Sequence, residues 1–192
     1  DFFNTNYAIG RLIVSNNNEA MDQINKIKNY ILSPPFGSWG SEILLVADNN
    51  FNPSNPNSQT EINHTLNSTS IYNLIKNRTF VNTIYGIEYD MNQNSSGYNQ
   101  PEVTEDILNA INSGVGIINY IGHGSETNLA HELILDMNRD LDLIQTNNKP
   151  PIWIIGTCSF GQYNNNVCMA EELLKKDDAA ISIIATTDGV NA

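Results

Sequence analysis

Two residues with reactive side chains each follow an apolar, strand-like stretch: His123 in "NYIGHGSETN" and Cys158 in "IWIIGTCSFG". Cys158 lies 35 residues after His123, which leaves room for a crossover between two parallel strands. Because the carboxyl ends of parallel strands meet at one edge of a sheet, the two side chains are predicted to lie beside each other. A thiol and an imidazole placed in this way form a candidate nucleophile and base.

Each residue type suits a step of acyl transfer. A free thiol has a pKa of about 8.5, and a neighbouring imidazole raises its reactivity. The imidazole can then protonate a departing amine, because its own pKa lies near neutral pH. The backbone N–H groups of Gly124 and Cys158 are candidate oxyanion donors, each contributing about 3–4 kcal/mol to the transition state. Either motif alone is explained as well by a strand-ending turn or a small buried thiol, so the prediction depends on the two together.

The elements that must position this pair follow from hydrophobic periodicity. Apolar stretches that read as strands alternate with helical patterns, which is typical of a parallel sheet covered on both faces. The predicted strands are "EILLVAD" (42–48), "FVNTIYGI" (80–87), "VGIINYIG" (115–122), "PPIWIIGTCS" (150–159) and "AAISIIATT" (179–187), preceded by "AIGRLIV" (8–14) as a strand or a buried extended segment. The predicted helices are 15–32, 60–76, 101–114 and 168–176, the first with Ala20, Ile24, Ile27 and Ile31 on its apolar face. The segment 126–144 is predicted as a loop or short helix. The fold class is therefore an α/β three-layer αβα sandwich with a mostly parallel sheet.

Length and composition set the outer limits. The 192 residues suffice for one domain, predicted to cover 1–192, and both ends read as cuts inside a longer multidomain protein. A net charge of −12 argues against nucleic acid as a partner, because such a surface repels phosphates. No apolar stretch has membrane-spanning length, and no signal-peptide pattern is present. Two cysteines, Cys158 and Cys168, are too few for a disulfide framework.

Other motifs fit worse. His131 and Glu132 do not begin a zinc-protease helix, because Leu135 occupies the position of the second histidine. The glycine pairs do not form a dinucleotide-binding loop, since no third glycine opens a helix. His64 lies in a predicted helix and is interpreted as a surface or capping residue rather than a ligand.

The combined motifs resemble those of the gingipain-like cysteine peptidases, whose catalytic domain is similar in architecture to caspases and legumain. The resemblance rests on "GVGIINYIGHGSETNLA", "GTCSFGQYNNNVCMAEELL" and "AAISIIATT", with support from "AIGRLIVSNNNEA" and "PEVTEDILNAINSG". These segments extend over nearly the whole chain, with gaps only in the Asn-rich loops. The resemblance implies a caspase-like or gingipain-like fold and a cysteine peptidase.

By position, the resemblance implies that His123 is the general base and acid and that Cys158 is the nucleophile. It also implies an oxyanion hole formed by the N–H groups of Gly124 and Cys158, and Cys168 as a packing residue at a helix start. Family members often place an acid behind the histidine. Among Gln59, Glu61 and Asp48, which lie near that position, we expect Glu61 to be the orienting acid.

Within the family, "TCSFG", "IGRLIVSN" and "HGSETNLAHE" look most like the PorU-like sortases of the type IX secretion system. That branch implies a cell-surface, outer-membrane-associated enzyme that removes the C-terminal signal domain of exported cargo. The cargo is then joined through a Cys158 thioester to anionic lipopolysaccharide, and PorV-like outer-membrane components are partners. No cofactor and no catalytic metal are expected, although a structural calcium ion is compatible with loop carboxylates such as Asp48 and Asp90.

Two other functions remain open. One is a gingipain-like secreted endopeptidase with broad protein substrates. The other is a pseudo-peptidase scaffold that keeps the fold in order to bind partners. The presence of both His123 and Cys158 argues against the scaffold.

Overall fold

The fold is built around a five-stranded parallel sheet. A computed structural model of the chain describes residues 9–55, 62–94, 97–164 and 167–189. The strands of the main sheet are β1 (Glu42–Ala47), β2 (Phe80–Tyr85), β5 (Ile117–Ile121), β8 (Ile152–Gly156) and β9 (Ser182–Ala185). They lie side by side in the order β2-β1-β5-β8-β9. Two small antiparallel pairs, β3 (Asn92–Asn94) with β4 (Gly97–Asn99) and β6 (Asn128–Leu129) with β7 (Leu135–Asp136), complete the strands. The predicted α/β class with a mostly parallel sheet is confirmed.

The strand order reverses direction beside β1. The chain passes from β1 outward to β2, returns to β5 on the other side of β1, and then continues outward through β8 and β9. Ligands of open α/β sheets bind at the carboxyl ends of the strands that flank such a reversal. The topology therefore directs attention to the ends of β1 and β5, which carry Asp48 and His123.

Helices lie on both faces of the sheet. The helices are α1 (Asn17–Leu32), α2 (Asn63–Ile75), α3 (Pro101–Ser113), α4 (Met137–Asp140) and α5 (Met169–Lys175). Val103 and Ile107 of α3 and Leu173 of α5 share one buried cluster with inward-facing side chains of the strands, such as Leu44 and Trp153. The second helix, α2, contacts β1, β2 and β5 without contributing to that cluster, so it covers the opposite face. Right-handed crossovers require this arrangement, because the chain moves in opposite directions across the sheet before and after β2.

Two sequence predictions are corrected. The described part of "AIGRLIV", residues 9–14, forms no strand and is not buried: Ile9 is 96% exposed. In α1, the predicted apolar face does not point into the core, since Ile24 and Ile31 are exposed. The buried side chains of α1 are instead Gln23 and Lys26.

The reason for the reversed face of α1 is a set of main-chain carbonyls at the end of α5 and just before β9. The Lys26 ammonium donates to the carbonyls of Leu174, Lys176 and Ala180, and the Gln23 amide also donates to Leu174. Carbonyls in the last turn of a helix have no intrahelical partner, and a buried orphan is costly. These hydrogen bonds therefore outweigh the preference of the isoleucines for the interior.

The segment between β5 and β8 differs in part from its predicted loop or short helix. It contains the β6–β7 pair as well as the short helix α4, whose N-cap Asp136 accepts hydrogen bonds from the N–H groups of Asn138 and Arg139. Among the described residues, no helix combines the length and apolar character needed to cross a bilayer.

Candidate active site

His123 and Cys158 occupy equivalent positions at the ends of two neighbouring strands. In the β5–β8 ladder Ile121 is paired with Gly156, so His123 and Cys158 each lie two residues beyond the last pair. The pairing extends past the strands, because the N–H of Gly122 donates to the carbonyl of Gly156 over 3.2 Å. Both residues are half-buried. The structure thus places the two residues that the sequence motifs singled out at the ends of neighbouring strands.

The backbone of His123 is held from both sides. Its N–H donates to Oδ2 of Asp48 over 2.7 Å. Its carbonyl accepts from the Tyr120 hydroxyl over 2.6 Å and from the Ala130 N–H over 2.8 Å. These three hydrogen bonds hold both the N–H and the carbonyl of His123, and the bond to the carboxylate is charge-assisted. The main chain at His123 therefore has little freedom to rotate. The imidazole therefore starts from a fixed Cα position at the sheet edge.

The glycines on either side of His123 are required by close packing. A Cβ at Gly122 would lie 2.3 Å from the Tyr120 hydroxyl and 2.4 Å from Cβ of Asp48. Any side chain there would therefore disrupt the hydrogen bonds of Tyr120 and Asp48 to the His123 main chain, which together form a clamp on His123. A Cβ at Gly124 would lie 2.7 Å from Oγ1 of Thr157, the residue before Cys158. The second glycine thus lets the two motifs approach each other directly.

A short bridge orients the main chain of Gly124. Gly124 pairs with Leu129 in an isolated antiparallel bridge, whose hydrogen bonds run from Ala130 to His123 and from Ser125 to Asn128. These bonds are made by the residues flanking Gly124. The pair is therefore of the non-hydrogen-bonded type, and the N–H of Gly124 points away from Leu129.

Asp48 is the carboxylate that the structure brings to His123. It is buried directly after β1, and its Oδ1 accepts from the Asn50 N–H over 2.6 Å. Burial raises the pKa of the Asp48 carboxyl, while the N–H groups of His123 and Asn50 and the nearby His64 and His131 oppose the rise. The predicted orienting acid Glu61, like Gln59, lies outside the described residues. Asp90, the other carboxylate considered for calcium, is exposed in a different loop.

The interpretation of His64 as a surface or capping residue is wrong. His64 lies in the first turn of α2, is only 8% exposed, and places its Nδ1 3.8 Å from Oδ2 of Asp48. Its ring meets that of His123 edge-on, with the centroids 5.1 Å apart and the planes at 82°. The sequence pattern correctly predicted that His64 lies on a helix. It did not predict that His64 is buried beside Asp48, because the face of the sheet that α2 covers is set by the crossover between β1 and β2.

Two further ionisable groups border this cluster. The His131 ring lies 4.9 Å from the His123 ring, and its pKa is lowered by burial and by the charge on His123. The Tyr120 hydroxyl is fully buried, and its pKa is raised well above the usual value by burial and by the carboxylates of Asp48 and Glu132. Tyr120 therefore stays protonated and continues to donate to the His123 carbonyl.

Glu132 is a buried carboxyl near the site that has few polar partners. Its side chain is 0% exposed, and neither carboxyl oxygen makes a hydrogen bond of good geometry with the described residues. Burial first, and then the charge on Asp48, raise the pKa of Glu132 to about 7, an effect that the nearby Asn49 side chain only partly opposes. In the sequence, Glu132 stood out only in a zinc-protease motif that does not fit, and its burial in the segment 126–144 was not predicted.

A tight turn presents Cys158. The preceding Thr157 is buried, and its carbonyl accepts a hydrogen bond from the Thr186 hydroxyl. The following residue, Ser159, adopts a left-handed backbone with φ of 55° and donates its N–H to the carbonyl of Asp188. A non-glycine residue in this region carries a conformational cost and is frequent at functional sites. The segment after β9 therefore supports the turn that carries the thiol.

Cys168 has a different environment from Cys158. Cys158 and Cys168 are not joined by a disulfide, and Cys168 is fully buried at the start of α5, where burial raises the pKa of its thiol. The next residue, Met169, donates its N–H to the carbonyl of Glu126 over 2.7 Å. Cys168 thus lies where the helix start meets the loop that follows His123, in a packing position.

Comparisons with known proteins agree with this geometry. The profile of peptidase family C25 matches residues 3–191, so the chain belongs to that family. Gingipain R2 of Porphyromonas gingivalis (strain W83) is 26% identical, in an alignment that covers 93% of this chain and 23% of gingipain R2. Gingipain R1 of Porphyromonas gingivalis is 25% identical, and its alignment covers 93% of this chain and 17% of gingipain R1. The chain therefore spans a quarter or less of these curated relatives.

Solved structures show the same fold. The crystal structure of the Arg-specific cysteine proteinase gingipain R superposes with a TM-score of 0.66 at 21% identity, over 91% of this chain and 39% of that one. The complex of the Porphyromonas gingivalis RgpB pro- and mature domains superposes with a TM-score of 0.65 at 22% identity, over 92% of this chain and 40% of that one. The caspase-like and gingipain-like architecture expected from the motifs is confirmed.

The buried carboxyl of Glu132 generates a prediction about stability. Its pKa in the folded chain, about 7, lies above its ordinary value of 4.5, so its contribution is complete below about pH 4.5 and is lost as the pH rises through 7. Replacing Glu132→Gln removes this dependence. From pH 4.5 to pH 8 the free energy of unfolding of the variant should gain about 3 kcal/mol relative to wild type. Urea denaturation in metal-free buffer across this range measures the difference.

The control for this measurement is Glu105→Gln, because Glu105 is exposed on α3. That variant should keep the pH dependence of the wild-type chain. Parallel stability curves for wild type and Glu132→Gln would show that Glu132 titrates as it does in the unfolded chain.

Proposed function

We propose that the chain is the catalytic domain of a cysteine peptidase in which Cys158 is the nucleophile and His123 is the general base and acid. The observation that carries this proposal is the strand register, which leaves both residues two positions beyond a paired strand end. Membership of peptidase family C25 supports the same chemistry. The pseudo-peptidase alternative is disfavoured because both reactive residues are present and the main chain around them is tightly held.

The reaction follows from these roles. His123 takes the proton of the Cys158 thiol, and the thiolate attacks the scissile carbonyl to form a tetrahedral intermediate. The N–H groups of Gly124 and Cys158 stabilise its oxyanion, for which the orientation of Gly124 away from Leu129 is suitable. The C–N bond then breaks as His123 returns the proton to the leaving amine. The Cys158 thioester that remains is released by water or by another amine.

Asp48 serves this reaction as a positioning residue. It contacts the main-chain N–H of His123 and lies beside His64, whose ring meets the His123 imidazole. Glu61 stays a prediction for the orienting acid. Asp48 is preferred because its carboxylate reaches the backbone of the histidine itself.

The finer proposal is a type IX secretion sortase of the PorU-like branch. It would act at the outer-membrane surface of a bacterium, with PorV-like components as partners, cargo carrying a C-terminal signal as substrate, and anionic lipopolysaccharide as acceptor. The support is the "TCSFG" sequence around Cys158 together with "IGRLIVSN" and "HGSETNLAHE". The alternative, a secreted endopeptidase, is supported by the similarity to the gingipains. A thioester intermediate is compatible with both.

The nucleophile assignment predicts unequal thiol reactivity. Iodoacetamide should alkylate Cys158 much faster than Cys168, because Cys158 is half-buried beside an imidazole and Cys168 is fully buried. Mass spectrometry of peptides from timed reactions measures both rates. Cys158→Ala should abolish peptide cleavage, and His123→Ala should slow the alkylation of Cys158. Equal alkylation of the two thiols, or cleavage by Cys158→Ala, would refute the assignment.

The sortase proposal predicts that an amine competes with water for the thioester. Adding an amine nucleophile to a cleavage reaction should yield an amide-linked product whose share rises with amine concentration, at the expense of the free acid. Mass spectrometry of the carboxyl fragment distinguishes the two products. Cleavage that yields only the free acid at every amine concentration would favour the endopeptidase.

The role of Asp48 predicts a loss in kcat. Asp48→Asn retains a side-chain oxygen but removes the charge, so the His123 N–H loses a charge-assisted hydrogen bond worth roughly 1.5–3 kcal/mol. We expect kcat to fall about tenfold or more and KM to change little. Alkylation of Cys158 should slow in parallel, with the thermal midpoint measured as a control. An unchanged kcat would remove Asp48 from the catalytic arrangement.

A further inference from the structure

Asp48, His64 and His123 converge on one point at the carboxyl edge of the sheet. One ligand atom from each, a carboxylate oxygen and two imidazole nitrogens, lies within 4.8 Å of the others. The three residues come from the end of β1, the first turn of α2 and the end of β5. Asp48 and His64 are buried and His123 is half-buried, so the group is closed on its inner side and accessible from the sheet edge.

We infer that these three residues form a binding site for a divalent transition metal ion of the zinc class, and that an ion held there inactivates the peptidase reversibly. The inactivation rests on the proposed function of His123, whereas the binding itself does not. Asp48 was also considered as a calcium ligand, but this site offers two imidazole nitrogens, which calcium does not favour.

The chemistry of the ligands selects the metal. Two imidazoles and one carboxylate, with a fourth position left for water, are a common arrangement for Zn²⁺. Imidazole nitrogens also bind copper and nickel. The three ligands therefore select a divalent transition metal ion, and the concentration of each metal around the protein determines which one binds. The chain carries a net charge of −12, which draws cations towards its surface.

The distances are close to those a bound ion requires. Bonds of about 2.0–2.1 Å in a tetrahedral site separate the ligand atoms by about 3.4 Å. Nδ1 of His64 already lies 3.8 Å from Oδ2 of Asp48, and the remaining separations are below 4.8 Å. A bound ion would have to draw these atoms closer by rotation of the imidazoles, because hydrogen bonds hold the His123 main chain and the Asp48 carboxylate in place.

Metal binding and catalysis exclude each other at His123. A neutral imidazole has one nitrogen lone pair, and a metal ion occupies that pair while the other nitrogen carries a proton. His123 then cannot take the proton of the Cys158 thiol. Removing the ion restores the base without any change in the fold, so the site acts as a reversible inhibitory switch.

The test measures zinc binding directly on the chelator-treated chain by isothermal titration calorimetry. Wild type should bind one Zn²⁺, and His64→Gln should bind it at least about tenfold more weakly, the minimum loss seen when even an outer partner of a zinc ligand is removed. The matched control is His131→Gln, because the His131 ring also lies beside His123 but is not one of the three ligands. It should bind zinc as wild type does. Equal affinity of wild type and His64→Gln would overturn the proposed site.

A third variant separates this inference from the proposed function. Cys158→Ala keeps all three ligands and should bind Zn²⁺ with the affinity of the wild-type chain even though it is inactive. Loss of zinc binding in Cys158→Ala, with binding retained in His64→Gln, would assign the ion to the thiol and would overturn the site.

Activity provides the second readout. Zinc should inhibit peptide cleavage by the wild-type chain over the same concentration range in which it binds, and a chelator should reverse the effect. His64→Gln should need at least about tenfold more zinc for half-inhibition. If zinc binds as predicted but leaves the cleavage rate of an active chain unchanged, the inhibitory role is refuted. If the wild-type chain does not cleave at all, the proposed function fails while the calorimetric result stands.

Discussion

The position of His123 depends on hydrogen bonds to its main chain. The Asp48 carboxylate accepts from its N–H, and the Tyr120 hydroxyl donates to its carbonyl. Asp48 follows β1 and Tyr120 belongs to β5, so the clamp joins the two strands that flank the reversal in strand order. Gly122 makes this possible, since any Cβ there would collide with both partners. The reactive edge of the sheet is thus fixed by contacts that a substrate does not have to supply.

This arrangement concentrates buried polar groups in a small volume. Asp48 is compensated by two backbone N–H groups and by neighbouring imidazoles, whereas Glu132 has a raised pKa and no hydrogen bond of good geometry with the described residues. Desolvation makes an unpaired charge costly, so the Glu132 carboxyl keeps its proton to a higher pH than an exposed glutamate does. Strongly perturbed groups tend to cluster at functional sites, because the functional geometry limits the choice of compensating partners. The buried cluster behind His123 fits that tendency.

The sequence predicted the parts of this structure that follow from strand periodicity. The ends of β5 and β8 were identified because each apolar stretch stops at a reactive residue, and the same rule applied to β1 would have selected Asp48. His64 could not be found in this way, because its approach to the site depends on the face of the sheet that α2 covers. The apolar face of α1 was misassigned for another reason: Lys26 and Gln23 bind main-chain carbonyls, which have no signature in a hydropathy pattern.

Neither reactive motif was informative alone, and the packing of Gly124 explains why. A Cβ at that position would lie 2.7 Å from Oγ1 of Thr157, so the His-Gly motif and the Thr-Cys motif are in direct contact through the missing side chain. A Cβ there would also lie 2.9 Å from the carbonyl oxygen of Asn128, so both the Thr-Cys turn and the loop after His123 require a glycine at this position. The same contact brings the turn that carries Gly124 against the turn that carries Cys158. In the sequence, the two motifs were joined because each follows a predicted strand. In the fold, those strands are β5 and β8, which pair in register, and the turns after them pack against each other.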